Sequence, residues 1–220
     1  MDERVILQVL AEQQEYLEHY RKNTWITRQE ESLFEWESNM AQVVIGVRRS
    51  GKSTLCHKVL LQHNIRYAYA DFDDDRFAAL KTSDLNTVLN CLYQLYGTDI
   101  QYIFLDEIQN VEGWHLFVNR LLRQGMYVFL TGSNAKLLSS ELATHLTGRY
   151  NEIRLYPFSY LEYCQSEDIS LHSITTQANA ARKAALTTYL QDGGMPELRN
   201  ITRSQNRRIY VESLVETIVS

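Results

Sequence analysis

Little in this sequence suits a secreted, membrane-spanning or metal-clustered protein. Its three cysteines, Cys56, Cys91 and Cys164, are an odd set without C-x-x-C spacing, so neither a disulfide framework nor a zinc site is indicated. The six histidines are scattered, with no two at metal-ligand spacing. No long apolar run occurs, and the first residues, Asp2-Glu3-Arg4, are charged. Neither a signal peptide nor a membrane span is expected, and the cytoplasm is the default compartment. A formal net charge of -5 argues against general affinity for nucleic acid and leaves room only for a local basic face. The two prolines, Pro157 and Pro196, both stand at breaks in the pattern. With 45% hydrophobic and 22% charged residues in 220, the composition is that of an ordinary globular chain, enough for one full domain and a smaller appendage.

What the sequence does carry centres on Gly46-Val47-Arg48-Arg49-Ser50-Gly51-Lys52-Ser53-Thr54, which fits G-x-x-x-x-G-K-[ST]. The apolar, β-branched stretch 41–45 before it reads as a buried strand, and 54–61 after it has helical spacing. Strand, glycine turn and helix aim backbone N–H groups and the positive end of a helix dipole at one small volume, which binds phosphate. Gly46 and Gly51 permit a backbone approach that a Cβ would block. Lys52, expected exposed on its loop, reaches the β- and γ-phosphates of a bound nucleoside triphosphate, and Ser53 offers its hydroxyl to Mg²⁺.

Residues 101–107 form the second informative stretch, an apolar strand ending in Asp106-Glu107. In a parallel sheet both acids face the phosphate loop, because strand C-termini form the ligand crevice. Asp106 suits Mg²⁺ coordination, and Glu107 suits orienting and deprotonating an attacking water. A strand over 65–70 ends in Asp71-Phe72-Asp73-Asp74-Asp75, read either as a solvated loop or as placing Asp71 or Asp73 beside the metal. The strand at 127–131 ends in Gly132-Ser133-Asn134, where Ser133 or Asn134 can meet the γ-phosphate, the lytic water, or the N-terminus of a helix over 135–145. Arg149 follows that helix. Its permanent charge suits transition-state phosphate, and the alternative is a surface pair with Glu152.

The remaining chain reads as helical. An amphipathic helix covers 5–20, and a second carries Leu33, Phe34 and Trp36; this lead-in (1–38) either packs beside the phosphate-loop strand over a nucleotide base or merely packs. After the core (39–157), helices over 158–164 and 178–190 precede a break at Gly193-Gly194-Met195-Pro196-Glu197. Arg199, Arg203, Arg207 and Arg208 make the tail basic, as a solvated face or a nucleic-acid or partner patch. The last helix has no stop signal before Ser220, so a continuing chain is expected.

Taken together, these motifs resemble a family of AAA-like P-loop ATPases of archaea and bacteria, allied to the STAND class. The likeness rests on the glycine-rich stretch, Tyr69-Ala70-Asp71-Phe72-Asp73-Asp74, Phe104-Leu105-Asp106-Glu107-Ile108-Gln109 and Leu130-Thr131-Gly132-Ser133-Asn134. It continues through Leu146-Thr147-Gly148-Arg149, Pro157-Phe158-Ser159-Tyr160-Leu161-Glu162-Tyr163 and Gly193-Gly194-Met195-Pro196-Glu197. The resemblance implies an α/β P-loop NTPase with a parallel five-stranded sheet, order 5-1-4-3-2, and a small helical lid at 158–220. It implies ATP and Mg²⁺ as ligands, an arginine finger at Arg149, and a G-x-P lid motif whose Pro196 lies near the adenine. Such proteins usually continue into a nuclease-like C-terminal domain, and Ser50 replaces the small apolar residue usual at its place. The expected activity is ATP hydrolysis coupled to lid motion. The alternatives are a slow nucleotide-dependent switch or scaffold, or a DNA-associated module acting through the further domain; a P-loop kinase would need a second substrate site that is not legible. Homo-oligomerisation and an intramolecular C-terminal partner are the associations expected.

Overall fold

Side chains along the central strands alternate between two apolar layers, and this sorts the molecule. In the computed structural model, which describes residues 1–20, 25–133, 145–146 and 148–219, five strands form one parallel sheet. They are β1 (Ala41–Gly46), β2 (Tyr67–Asp71), β3 (Tyr102–Asp106), β4 (Tyr127–Ser133) and β5 (Tyr150–Leu155). The order β2-β3-β4-β1-β5, read from the other edge, is the expected 5-1-4-3-2. The helices are α1 (Glu3–Tyr20), α2 (Lys52–Gln62), α3 (Leu85–Tyr96), α4 (Trp114–Arg123), α5 (Tyr160–Ser166), α6 (Thr176–Asp192) and α7 (Ser204–Val219). Val43, Ile45, Ile103, Leu105, Val128 and Leu130 point to the layer made by α1, α3 and α4. Val44, Phe104, Phe129 and Ile153 point to the layer under α2. A sheet covered on both faces explains why these strands are apolar throughout rather than alternating with polar residues. Burial of a ring such as Phe104 or Phe129, both closed to solvent, contributes roughly 1.5–3 kcal/mol.

The lead-in differs from its sequence reading. Helix α1 packs against α3 and β2, not beside β1, so most of it is a packing helix. The second amphipathic helix is a 3-10 turn, Gln29–Leu33. Phe34 leaves it in extended conformation to stack on Phe129 at 5.7 Å, while Trp36 meets His63 at 4.1 Å. Helical continuation would carry these rings off the sheet face. The acid of that turn is also committed, since Glu31 accepts from the Arg28 amide at 2.5 Å and pairs with Lys58 Nζ at 2.5 Å. His57, sealed among Tyr20, Tyr67, Tyr69 and Phe104, is pushed down to about 3 by burial, so it is a neutral core histidine.

Pro157 follows β5, and Ser159 caps α5 reciprocally with Glu162, whose carboxylate accepts from the Ser159 amide at 2.8 Å. Helix α6 stops at Gly193, and a 3-10 turn, Pro196–Asn200, leads to α7. The arginines of the tail are dispersed rather than pooled: Arg207 pairs with Asp192 and Arg208 with Glu212, each at 2.9 Å. Among the described residues no helix is long and apolar enough to cross a membrane.

Candidate active site

The C-terminal ends of β1, β3 and β4 bring the two informative stretches together. Gly46 pairs in register with Ser133 of β4 and Leu155 of β5. A Cβ at Gly46 would lie 2.2 Å from the Leu155 carbonyl oxygen, so close strand approach requires glycine there. Gly51, the N-cap of α2, has φ +94, the left-handed region that only glycine occupies without strain. Beyond it the first-turn N–H groups of α2 have no partner within the helix and face the crevice. Ser50 is fully buried, and its hydroxyl lacks a hydrogen-bond partner among the described residues. It therefore fills the space of the small apolar residue it replaces.

Two cavities open side by side and share Gly51, Thr54 and Pro196. The polar one, about 310 Å³, is lined by Arg48, Arg49, Lys52, Ser53, Asp71 and Asp106, with Glu107 and Tyr20 also on its wall. The other, about 430 Å³, is lined by Trp25, Ile26, Leu55 and Phe158, with Arg28 and Arg199 at its polar points. One suits a chain of phosphates, the other a flat heterocycle.

Lys52 is buried rather than exposed, 5% accessible, because it folds back over its own loop. Its Nζ donates to the Val47 carbonyl at 3.3 Å and lies 3.6 Å from Glu107 Oε1. Ser53 Oγ donates to Asp106 Oδ1 at 3.0 Å, Tyr69 OH to Asp106 Oδ2 at 3.2 Å, and Thr131 Oγ1 also donates to Asp106. Burial nevertheless raises the Asp106 carboxyl above its ordinary range. Asp71 is pushed up to about 7, first by burial and then by the charge of Asp106. Two repelling buried carboxylates beside a serine hydroxyl are a hard-oxygen donor set that a divalent cation relieves, so Ser53, Asp106 and Asp71 fit Mg²⁺. Arg48 Nη2 meets Asp73 at 3.5 Å on the rim.

Not every residue expected at the site lies there. Arg149 is exposed and precedes β5, with its carbonyl bonded to the Ala41 amide at the start of β1. That is the opposite edge of the sheet, roughly 20 Å from the phosphate loop at about 3.3 Å per strand residue. Its alternative partner is engaged elsewhere: Glu152 pairs with Arg154 at 2.8 Å. Asn134 and the helix expected at 135–145 lie outside the described residues, whereas Ser133 stands beside Gly46.

Arg28, Tyr20, Thr131 and Gln109 were not singled out from sequence. Arg28 is 7% exposed and binds Glu162 at 2.8 Å, the Tyr156 carbonyl at 2.7 Å and the Ser50 carbonyl at 3.4 Å. It thereby ties the lead-in to the phosphate loop and to α5. A buried arginine in an irregular segment has no periodic signature.

Residues 38–164 match the AAA domain family, more than half of the chain. The chain belongs to the AAA domain family. Within that family it is similar to an uncharacterized protein of Methanocaldococcus jannaschii, 33% identical over 81% of this chain and 40% of the relative. An uncharacterized protein of Haemophilus influenzae is 36% identical over 62% of this chain and 36% of the relative. The chain thus spans about two-fifths of the length of these relatives. Among solved structures, a Walker-type ATPase of Pyrococcus abyssi shares the fold, with TM-score 0.50 and 17% identity over 91% of this chain and 76% of that one. The AAA domain assignment accounts for the strand–loop–helix at Gly46–Gln62 and makes the crevice above it a nucleotide site.

Proposed function

We propose that this AAA domain binds Mg·ATP in the paired cavities and hydrolyses it. The observation that carries the reading is the convergence of Lys52, Ser53, Asp106 and Glu107 at one crevice, with Lys52 Nζ 3.6 Å from Glu107 and Ser53 Oγ 3.0 Å from Asp106. In this reading the α2 first-turn amides and Lys52 bind the β- and γ-phosphates. Ser53 and Asp106 hold Mg²⁺, which when bound neutralises phosphate charge; Asp71 adds a further carboxylate to that site. Trp25, Phe158 and Pro196 enclose the adenine. Glu107 gives up Lys52 to the phosphates and takes the proton of the attacking water. Residues 1–38 serve as lead-in, 39–157 as ATPase core and 158–220 as lid.

The test is Lys52→Ala, with Lys52→Met as the shape-preserving control. Saturation at a hundred times Kd stabilises the parent by about 2.7 kcal/mol, a thermal shift of roughly 5–10 °C at this size. Both variants should fold and show almost none of that shift with Mg·ATP. A shift of parental size in both would remove the phosphate-loop assignment.

Nucleotide state is coupled to the lid through Arg49. This loop residue, at φ +65, pairs with Glu197 at 3.1 Å and lies over the Tyr210 ring at 5.5 Å. A triphosphate competes with Glu197 for the same guanidinium, so binding loosens the turn Pro196–Asn200 and α7 from the loop. Amide exchange in 196–212 should rise on adding a non-hydrolysable ATP analogue, and Glu197→Gln should show that faster exchange without ligand. Equal exchange in all three states would disprove the coupling.

A slower, switch-like domain is the second reading. It is favoured by Glu107 being tied to Lys52 and by Arg149 standing at the far edge, which leaves an isolated chain without that arginine. Affiliation with the STAND class, a nuclease-like domain beyond residue 220 and association with DNA belong to the same proposal, since the relatives are more than twice as long as the part matched here.

A further inference from the structure

We propose that Gln109 is the positioning residue for Glu107, holding one carboxylate oxygen so that the other is presented to water once Lys52 leaves. The proposal rests on the hydrolase reading above and deepens it. Glu107 N-caps the 3-10 turn Ile108–Asn110 with φ 51 and ψ 36, a left-handed conformation strained for any residue with a Cβ. Its amide donates to Thr131 Oγ1 at 3.1 Å, which fixes the backbone where β3 ends. Its two carboxylate oxygens have different partners. Oε1 faces Lys52 Nζ at 3.6 Å, whereas Oε2 accepts from Gln109 Nε2.

Those partners respond differently to nucleotide. Lys52 is a cation whose stronger attraction is to the incoming phosphates, so its hold on Oε1 is temporary. Gln109 is neutral and has no reason to follow. It sits in a turn anchored by buried Ile108 and by Asn110, which donates to the Phe72 carbonyl at 3.2 Å and Asp73 Oδ1 at 3.3 Å. The exchange leaves Glu107 ionised, gripped at Oε2 and open at Oε1.

A second observation concerns the other end of the same amide. Gln109 Oε1 is buried and has no hydrogen-bond partner among the described residues. A buried acceptor left unpaired is unfavourable, and such an atom beside a catalytic carboxylate is suited to a water. A water between Glu107 Oε1 and Gln109 Oε1 gives one proton to each acceptor as hydrogen bonds. In the reaction one proton passes to Glu107, the water oxygen bonds the γ-phosphorus, and the bond from that phosphorus to the bridging oxygen breaks, its electrons leaving on ADP.

The experiment is single-turnover hydrolysis at saturating Mg·ATP with Gln109→Met and Gln109→Glu, each alone and in the Glu107→Gln background. ATP affinity is measured in parallel. Both single variants should lower the rate by about 10–100-fold, the scale of a misplaced catalytic group, while Kd for ATP changes by less than about 2-fold. In the Glu107→Gln background neither should cost anything further, as expected of residues acting as one unit. Parental rates in both variants, a matching loss of ATP affinity, or an additive loss in the double variants would overturn the proposal. If Glu107→Gln alone keeps the parental rate, the general-base reading itself fails, and the inference with it.

Discussion

Glutamine at position 107 should leave Mg·ATP bound and reduce hydrolysis by roughly 10²–10⁴-fold, the usual contribution of a general base. The amide has the size of the carboxylate and sits in the same left-handed backbone, at φ 51, so the fold is not asked to change. It cannot accept a proton. Affinity should be equal to or tighter than that of the parent, because the phosphates no longer compete with a carboxylate 3.6 Å from Lys52 Nζ. A single-turnover assay is the appropriate measurement, since product release then plays no part. Equal rates in Glu107→Gln and parent would eliminate the general-base role and leave the switch reading in its place.

The parts of the site legible in the sequence are those whose chemistry depends on local order. The glycines at 46 and 51 and the lysine after them must follow a strand and open a helix, and that context spans few residues. Likewise the acids at 106 and 107 follow an apolar strand whose partners on both faces make it apolar. Sheet order was legible only through family resemblance, since periodicity says which residues are buried but not which strands are neighbours. What stayed hidden depends on tertiary contacts. Lys52 is buried because it folds back to Val47 and Glu107. Phe34 and Trp36 leave helical geometry because Phe129 and His63 offer ring contacts. Arg28 joins residues as far apart in sequence as Ser50, Tyr156 and Glu162, and no local pattern marks such a residue.

Arg149 gives the sharpest consequence of the sheet topology. Because β5 runs parallel to β1, with Tyr150 opposite Ala41 and Leu155 opposite Gly46, the residue before β5 lies at the strand ends remote from the crevice. An arginine side chain reaches about 7 Å, well short of the roughly 20 Å set by the strand rise. Within one molecule Arg149 cannot touch a γ-phosphate, so an arginine finger here acts only on a neighbouring copy. Hydrolysis per molecule should then rise with protein concentration, and Arg149→Ala should abolish that rise, by as much as roughly 10³–10⁵-fold as for other trans-acting fingers. ATP binding should be unchanged. Mixing supplies the decisive arm. Arg149→Ala retains Glu107 and Glu107→Gln retains Arg149, so each is inactive alone, yet together they rebuild complete sites at half of the mixed contacts. Recovered hydrolysis in the mixture establishes the trans contact. Concentration-independent turnover with no recovery on mixing would leave Arg149 a surface residue of the sheet's lower edge.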